Sequence, residues 1–441
     1  LSATFQPPSK SLTPRDYQFI VLVIIVFLAT CAALVFANLT LKGGGGDFYV
    51  HWVASRGFLF ENYKHGKYRV QSADKIPDAG FERFDPYSGK VSARVQRLVY
   101  DDSAQAGDEP YILDTPFQIL PFYYPFSLLP DPQIARAIFT LILELALFAL
   151  VILSLRLTEW EAPRIFTILF IFFAVFNFYT FQAIYEANPV LILGLLYVGI
   201  LFTYREELDE LTGALLAFSL YYWEVGAPFL ILIFLRAYYE KRTRIFAGFF
   251  MLCFILFFVS FLSYPYWIIP FLRATANNLR ADFGFTMHSI FIHIWPTYGS
   301  TISWVFTGIL VLILGYEWSF ARSSDYRRFY WAACLSLAVA PLLGFRTEME
   351  NLAVLIIPLA LVFAIVHDRW HRFGDGLTIL FMLVIFTLPW LLYLFAINRF
   401  GVIAEEMIFL FLPLSTLLGL YWIRWWAIRP PRILSDFANR A

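Results

Sequence analysis

The strongest constraint in this sequence is a succession of apolar runs long enough to cross a bilayer, separated by short polar connections. A spanning helix needs about 20 apolar residues, fewer when it is short or shielded. Runs of this kind cover 18–40, 133–156, 164–180, 188–203, 211–222, 226–238, 244–264, 301–316, 328–343, 351–366, 376–397 and 405–425. Composition agrees: of 441 residues, 60% are hydrophobic and 15% charged, where a soluble domain is about a quarter charged. The chain therefore reads as an all-α polytopic membrane protein with roughly ten to twelve transmembrane helices. The first run is too long for a signal-peptide core and has no small-residue cleavage signature, so it is expected to be a span. The pair 211–222 and 226–238 reads either as one bent helix or as two segments, since each is too short to cross alone.

Lys and Arg concentrate in alternate connections, at Arg156 and Arg164, at Arg236, Lys241, Arg242 and Arg244, at Arg322, Arg327 and Arg328, and at Arg369 and Arg372. By the positive-inside rule these are cytoplasmic, and both termini lie on the same side. The expected location is a cytoplasmic membrane of bacterial or archaeal type. Three segments then face outward: 43–117, 264–300 and 344–351. Residues 1–425 are expected to form a single membrane domain that includes the first two, and 426–441 a basic cytoplasmic tail.

Zero net charge offers no bulk case for nucleic-acid binding. Cys31, Cys253 and Cys334 sit far apart in apolar runs and form neither a disulfide framework nor a metal set. No P-loop, dinucleotide fingerprint or zinc-protease motif is present. No cofactor and no metal are expected.

The polar residues able to do chemistry gather on the outward side. After the first span comes GGGGDFYVHWVASRGFLFENY. Four glycines permit a sharp exit, Asp47 takes an N-cap position, and Phe48, Trp52, Leu59, Phe60 and Tyr63 recur at near-helical spacing. This predicts a helix lying in the outer interface, with Asp47, His51 and Ser55 on its other face. Asp47 reads either as a cap or as a general base tuned by partial desolvation and by His51. The Pro-rich stretch TPFQILPFYYPFSLLP is expected to be an aromatic-lined segment descending into the next span. Glu186 with Asn188, Glu224, and Glu348 with Glu350 all fall at outer helix ends, where acids need a cavity or a partner. Opposite charge comes from Arg273, Arg280, His288, His293 and Arg346. Arg346 reads either as an ion-pair partner of Glu348 or Glu350, or as a forked donor for a phosphate group.

This layout resembles the GT-C superfamily of glycosyltransferases, and most closely glycosyltransferase family 87, whose polyprenol-phosphate-mannose-dependent members are mannosyltransferases. Asp47 in GDFYVHWVASRGFL is similar to the family's acidic residue after the first span, and Phe122-Tyr-Tyr-Pro125 resembles its aromatic-Pro stretch. Tyr185-Glu186-Ala187-Asn188 stands where the family has Gly-Gln-x-Asn, keeping the Asn and replacing Gln by Glu. Trp223-Glu224 stands where Lys-Pro is common, and Met287-His288-Ser289 where Asn-Gln-Ser is. Phe345-Arg346-Thr347-Glu348 replaces a histidine-bearing turn. The resemblance implies a GT-C-like fold and an inverting transferase using a polyprenyl-phosphate-linked sugar donor. Its acceptor would be a lipid, a glycan or a protein, and membrane lipids would surround it. Asp47 would be the catalytic base, with Arg346, His288 and Arg280 on the donor phosphate. His51, Glu186, Asn188, Glu224 and Glu348 would contact acceptor or sugar. Two other readings use the same residues: a transporter or flippase for a lipid-linked anion, and a catalytically inactive structural subunit with partners in a membrane complex.

Overall fold

The computed structural model describes residues 14–41, 43–65, 84–100, 111–160, 163–278, 284–370 and 373–428. Among these residues every regular element is helical, and the one isolated β-bridge joins Phe285 to Thr347. In chain order the helices are α1 (Pro14–Thr40), α2 (Gly46–His65), α3 (Gly89–Tyr100), α4 (Leu120–Ser127), α5 (Pro132–Leu157), α6 (Arg164–Phe176) and α7 (Phe178–Tyr185). They continue with α8 (Val190–Arg205), α9 (Asp209–Ser219), α10 (Trp223–Tyr239), α11 (Thr243–Ser263), α12 (Ile268–Asn278), α13 (Met287–Ile294) and α14 (Gly299–Ala321). The last are α15 (Tyr326–Val339), α16 (Ile356–Arg369), α17 (Gly374–Leu391), α18 (Ile397–Phe400) and α19 (Val402–Ala427).

Every apolar run named above is essentially helical, with 164–180 divided between α6 and α7 and 376–397 running from α17 through a π-helical turn at Leu392–Ala396. Among the described residues, 7 helical stretches are long and apolar enough by length and composition to cross a membrane, with the folded-back run Asp209–Tyr239 counted as one of them, or 8 if α6 and α7 count as one span bent by 50°. That bend follows from Asn177, whose backbone leaves the helical region and whose side chain caps α7 by accepting from the Tyr179 N–H. The span therefore runs past residue 180 to Tyr185.

The stretch Asp209–Tyr239 resolves the question of one helix or two. A straight helix of its 31 residues would hold its ends about 46 Å apart. Asp209 instead forms an ion pair with Arg242, just beyond the far end. Along the way Thr212 bonds Thr203 near the foot of α8, while the Tyr197 ring, higher on α8, meets Gly226 and Phe229. The chain thus turns back at Leu220–Tyr222 and at Gly226, which leaves helical geometry with φ −147° and ψ 24°. α9 and α10 are two arms of a hairpin with Glu224 at its tip.

α15 and α16 form the centre, buried along nearly their whole length. α11 and α14 lie at the rim, where phenylalanines such as Phe254 and Phe258 are more than half exposed. An apolar ring facing outward is costly in water and favourable in lipid, so this surface suits a bilayer. Ion pairs staple one end of the bundle: Arg205 and Arg327 to Glu159, Arg236 to Glu240, and Arg424 to buried Glu317. The opposite end carries α2–α4, α12 and α13 and the acids singled out from the sequence.

α2 departs from the two-faced surface helix expected from its spacing. Phe48, Tyr49, His51, Trp52 and Ser55 are all buried, so several sides of the helix are packed as far as Phe58, with Asp47 and Arg56 only partly covered. Near-helical recurrence of aromatics signals one apolar face, but here α3, α4 and α5 cover other faces as well.

Candidate active site

The site is built where α2 begins. Gly43, Gly44 and Gly45 have φ of 80°, 66° and 80°, a left-handed run that only glycine adopts without strain. It lets the chain lie against the end of α7. The Gly45 N–H donates to the Tyr185 carbonyl at 3.0 Å, and a Cβ on Gly44 would sit 2.7 Å from that oxygen. Arg136, buried in the first turns of α5, clamps both segments by donating to the carbonyls of Gly43 (2.7 Å) and Tyr185 (3.0 Å). This residue was not singled out from the sequence. The available signal was an arginine inside an apolar helix right after Asp131-Pro132.

The α7–α8 corner then reaches back to α2. The Gly46 N–H donates to Glu186 Oε2 at 3.1 Å, which places a carboxylate on the positive end of α2. α2 starts at Gly46, so Asp47 lies in its first turn rather than at the cap. The Asn188 amide donates to Asp47 Oδ2 at 2.7 Å, and Asn188 Oδ1 accepts from the Val190 N–H at 2.8 Å. One side chain therefore starts α8 and orients Asp47. Between them Ala187 is buried with φ 51°, a conformation costing a non-glycine residue about 1 kcal/mol.

His51 is buried, and both its ring nitrogens are used within the protein. Nδ1 faces the Asp47 carbonyl oxygen at 2.7 Å, which can only accept, so Nδ1 carries the proton. Nε2 then accepts from Thr115 Oγ1 at 3.0 Å, and the ring stacks on Tyr123 with centroids 4.5 Å apart. Burial pushes the imidazole down to about 4, so it is neutral at physiological pH. Burial, together with the nearby charge of Asp47, pushes the Tyr123 phenol up and keeps it protonated.

The 344–351 turn closes the other side. Gly344 and Gly284 take φ of 86° and 80°, and Phe285 and Thr347 exchange two backbone bonds of 2.8 and 3.1 Å. Arg346 packs over Gly284, where a Cβ would lie 2.9 Å from its Nε. The same bridge brings up the start of α13, whose capping box pairs Thr286 with Ser289 and leaves His288 exposed in the first turn. Carboxylate oxygens of Asp47, Glu348 and Glu350 all lie within 4.8 Å of one another. Groups this close repel unless a proton or cation is held among them, and three such ligands could hold a metal ion. Glu224, at the hairpin tip, lines a narrow crevice with Thr347 and Asn351.

The fold thus gathers Asp47, Glu186, Asn188 and Glu348 into one constellation, with Glu350 added, and sets Glu224 beside it. Arg346 and His288 lie on segments joined by the Phe285–Thr347 bridge. His51 sits behind Asp47 as a support. Arg280 lies outside the described residues.

The family model "Glycosyltransferase family 87" covers residues 114–344, more than half of the chain, and includes Glu186, Asn188, Glu224 and His288 but neither Asp47 nor Glu348. No curated protein and no solved structure matches the chain.

Proposed function

The chain belongs to glycosyltransferase family 87, and on that premise we propose that it transfers a sugar from a polyprenyl-phosphate donor with inversion at the anomeric carbon. The acceptor is a lipid, glycan or protein hydroxyl on the non-cytoplasmic side. The observation that carries this reading is the Asn188–Asp47 bond, which holds one carboxylate of the cluster in a set orientation at the start of a largely buried helix. Family membership makes the chain a glycosyltransferase; the base, the donor and the side of the membrane are the proposal. The arginine-stapled end lies in the cytoplasm by the positive-inside rule, which puts Asp47 at the outer leaflet.

In the proposed step, ionised Asp47 takes the proton from the acceptor hydroxyl as its oxygen attacks the anomeric carbon. The bond from that carbon to the phosphate oxygen breaks with its electron pair. The polyprenyl phosphate gains a negative charge, which Arg346 meets with its forked N–H donors, aided by His288 and Arg280. Glu186, Glu224 and Glu348 offer acceptors to sugar or acceptor hydroxyls. His51 holds the α2 backbone rather than touching substrate. The cluster of Asp47, Glu348 and Glu350 lies at one end of the bundle, which favours a transferase over a transporter.

Asp47→Asn tests the reading. It keeps the size of the side chain and removes the base, so turnover of a polyprenyl-phosphate sugar by the purified chain should fall about 10²- to 10⁴-fold. Undiminished turnover by a monodisperse variant would refute the assignment.

A further inference from the structure

A second polar cavity, of about 410 Å³, opens between α2 and α3. Arg56 is nine residues beyond Asp47, two and a half helical turns, so the cavity lies on the far face of α2 from the acid cluster. Its lining carries Arg56, Arg94 and Arg97 against a single acid, Glu61. Arg94 and Glu61 pair at 2.5 Å. Arg56 has no carboxylate partner among the described residues: one of its terminal nitrogens donates to the carbonyls of Ser127 (2.7 Å) and Leu129 (3.1 Å). The rest of its fork lies against the rings of Trp52 and Phe60. Arg97 forms no ion pair or hydrogen bond among the described residues. The lining is thus an unbalanced set of guanidinium donors over an apolar, aromatic wall.

Depth is set by the same contacts. Ser127 and Leu129 immediately precede Asp131, which caps the start of α5, the point where the chain re-enters the apolar layer. Arg56 is therefore held at the level of lipid headgroups. A cavity at that depth with two excess positive charges and one apolar wall suits a phosphate group whose carrier is partly apolar.

We propose that this cavity is an anion site, separate from the Asp47 cluster, that binds the phosphate of an outer-leaflet phospholipid headgroup. The same donors would accept phosphate from a soluble source, and the test separates the two. The full chain, stripped of lipid in detergent, is titrated with phosphatidylglycerol, with diacylglycerol of the same chains, and with inorganic phosphate, and bound molecules are counted by native mass spectrometry. Phosphatidylglycerol should be retained in preference to diacylglycerol, and Arg97→Gln with Arg94→Gln should weaken it about tenfold. Both lie on the exposed side of α3, so the fold survives their loss, whereas Arg56 supports backbone carbonyls and is left intact. Glu61→Gln should tighten binding several-fold by freeing Arg94, an effect that a merely structural cluster would not produce. Binding of inorganic phosphate without phosphatidylglycerol, lost in the Arg variants, would assign the site to a soluble phosphate. Phosphatidylglycerol and phosphate binding that ignore all three substitutions would overturn the proposal.

Discussion

Because His51 is neutral in the folded protein, acid should loosen the start of α2. The imidazole of an unfolded chain titrates near 6.5, whereas burial holds it at about 4 in the fold. Between those values the unfolded state binds a proton that the folded state refuses, so stability falls as pH drops through this window. The same linkage makes the loss about 2 kcal/mol at pH 5 and about 3 kcal/mol below pH 4. His51→Asn keeps a short polar group near the Asp47 carbonyl and removes the titration. Unfolding in mixed micelles at pH 7.5 and pH 5 would be compared for the two proteins. Other groups titrate in both, so the quantity read is the difference between their pH slopes. The wild type should lose about 2 kcal/mol more than the variant. Equal slopes would mean that the ring is solvated or already charged, and the bonds to Asp47 and Thr115 would then not be those described.

Asn188→Ala removes the donor to Asp47 and the cap on α8 together; it should lower stability by about 1 kcal/mol and turnover by at least tenfold, read by micelle unfolding and by initial rates. Unchanged turnover would detach Asn188 from the site. Gly44→Ala places a methyl group against the Tyr185 carbonyl at a positive φ and should cost about 2 kcal/mol or more; a variant as stable as wild type would show that the glycine run is not docked there. Arg346→Gln should raise KM for a polyprenyl-phosphate sugar about tenfold or more, with Arg346→Lys recovering only part because it lacks the fork. An unaltered KM would remove Arg346 from the donor phosphate.

Much of the architecture was legible because lipid imposes a one-dimensional rule. A run of apolar residues must close its backbone bonds within itself, so the helices at 133–156 or 405–425 could be read from hydropathy alone. The acids at outer helix ends were visible for the same reason, since charge at depth is expensive and stands out against apolar neighbours. Arg136 was overlooked because its partners are the carbonyls of Gly43 and Tyr185, and backbone acceptors leave no trace in residue type. The orientation of His51 was equally hidden: its neutrality follows from enclosure by Tyr123, Thr115 and the α2 backbone.

By itself, then, the sequence determined the fold class, the positions of the apolar runs and the short list of polar residues with no business in lipid. Tertiary structure alone decided that Asp209–Tyr239 is a hairpin, because a local pattern carries no information about which distant residue pairs with Asp209. It likewise decided that residues 47, 188, 348 and 350, drawn from three separate stretches of chain, meet in one cluster. Hydropathy is a property of each segment against its solvent, whereas a site is a set of distances between segments, and only packing sets those.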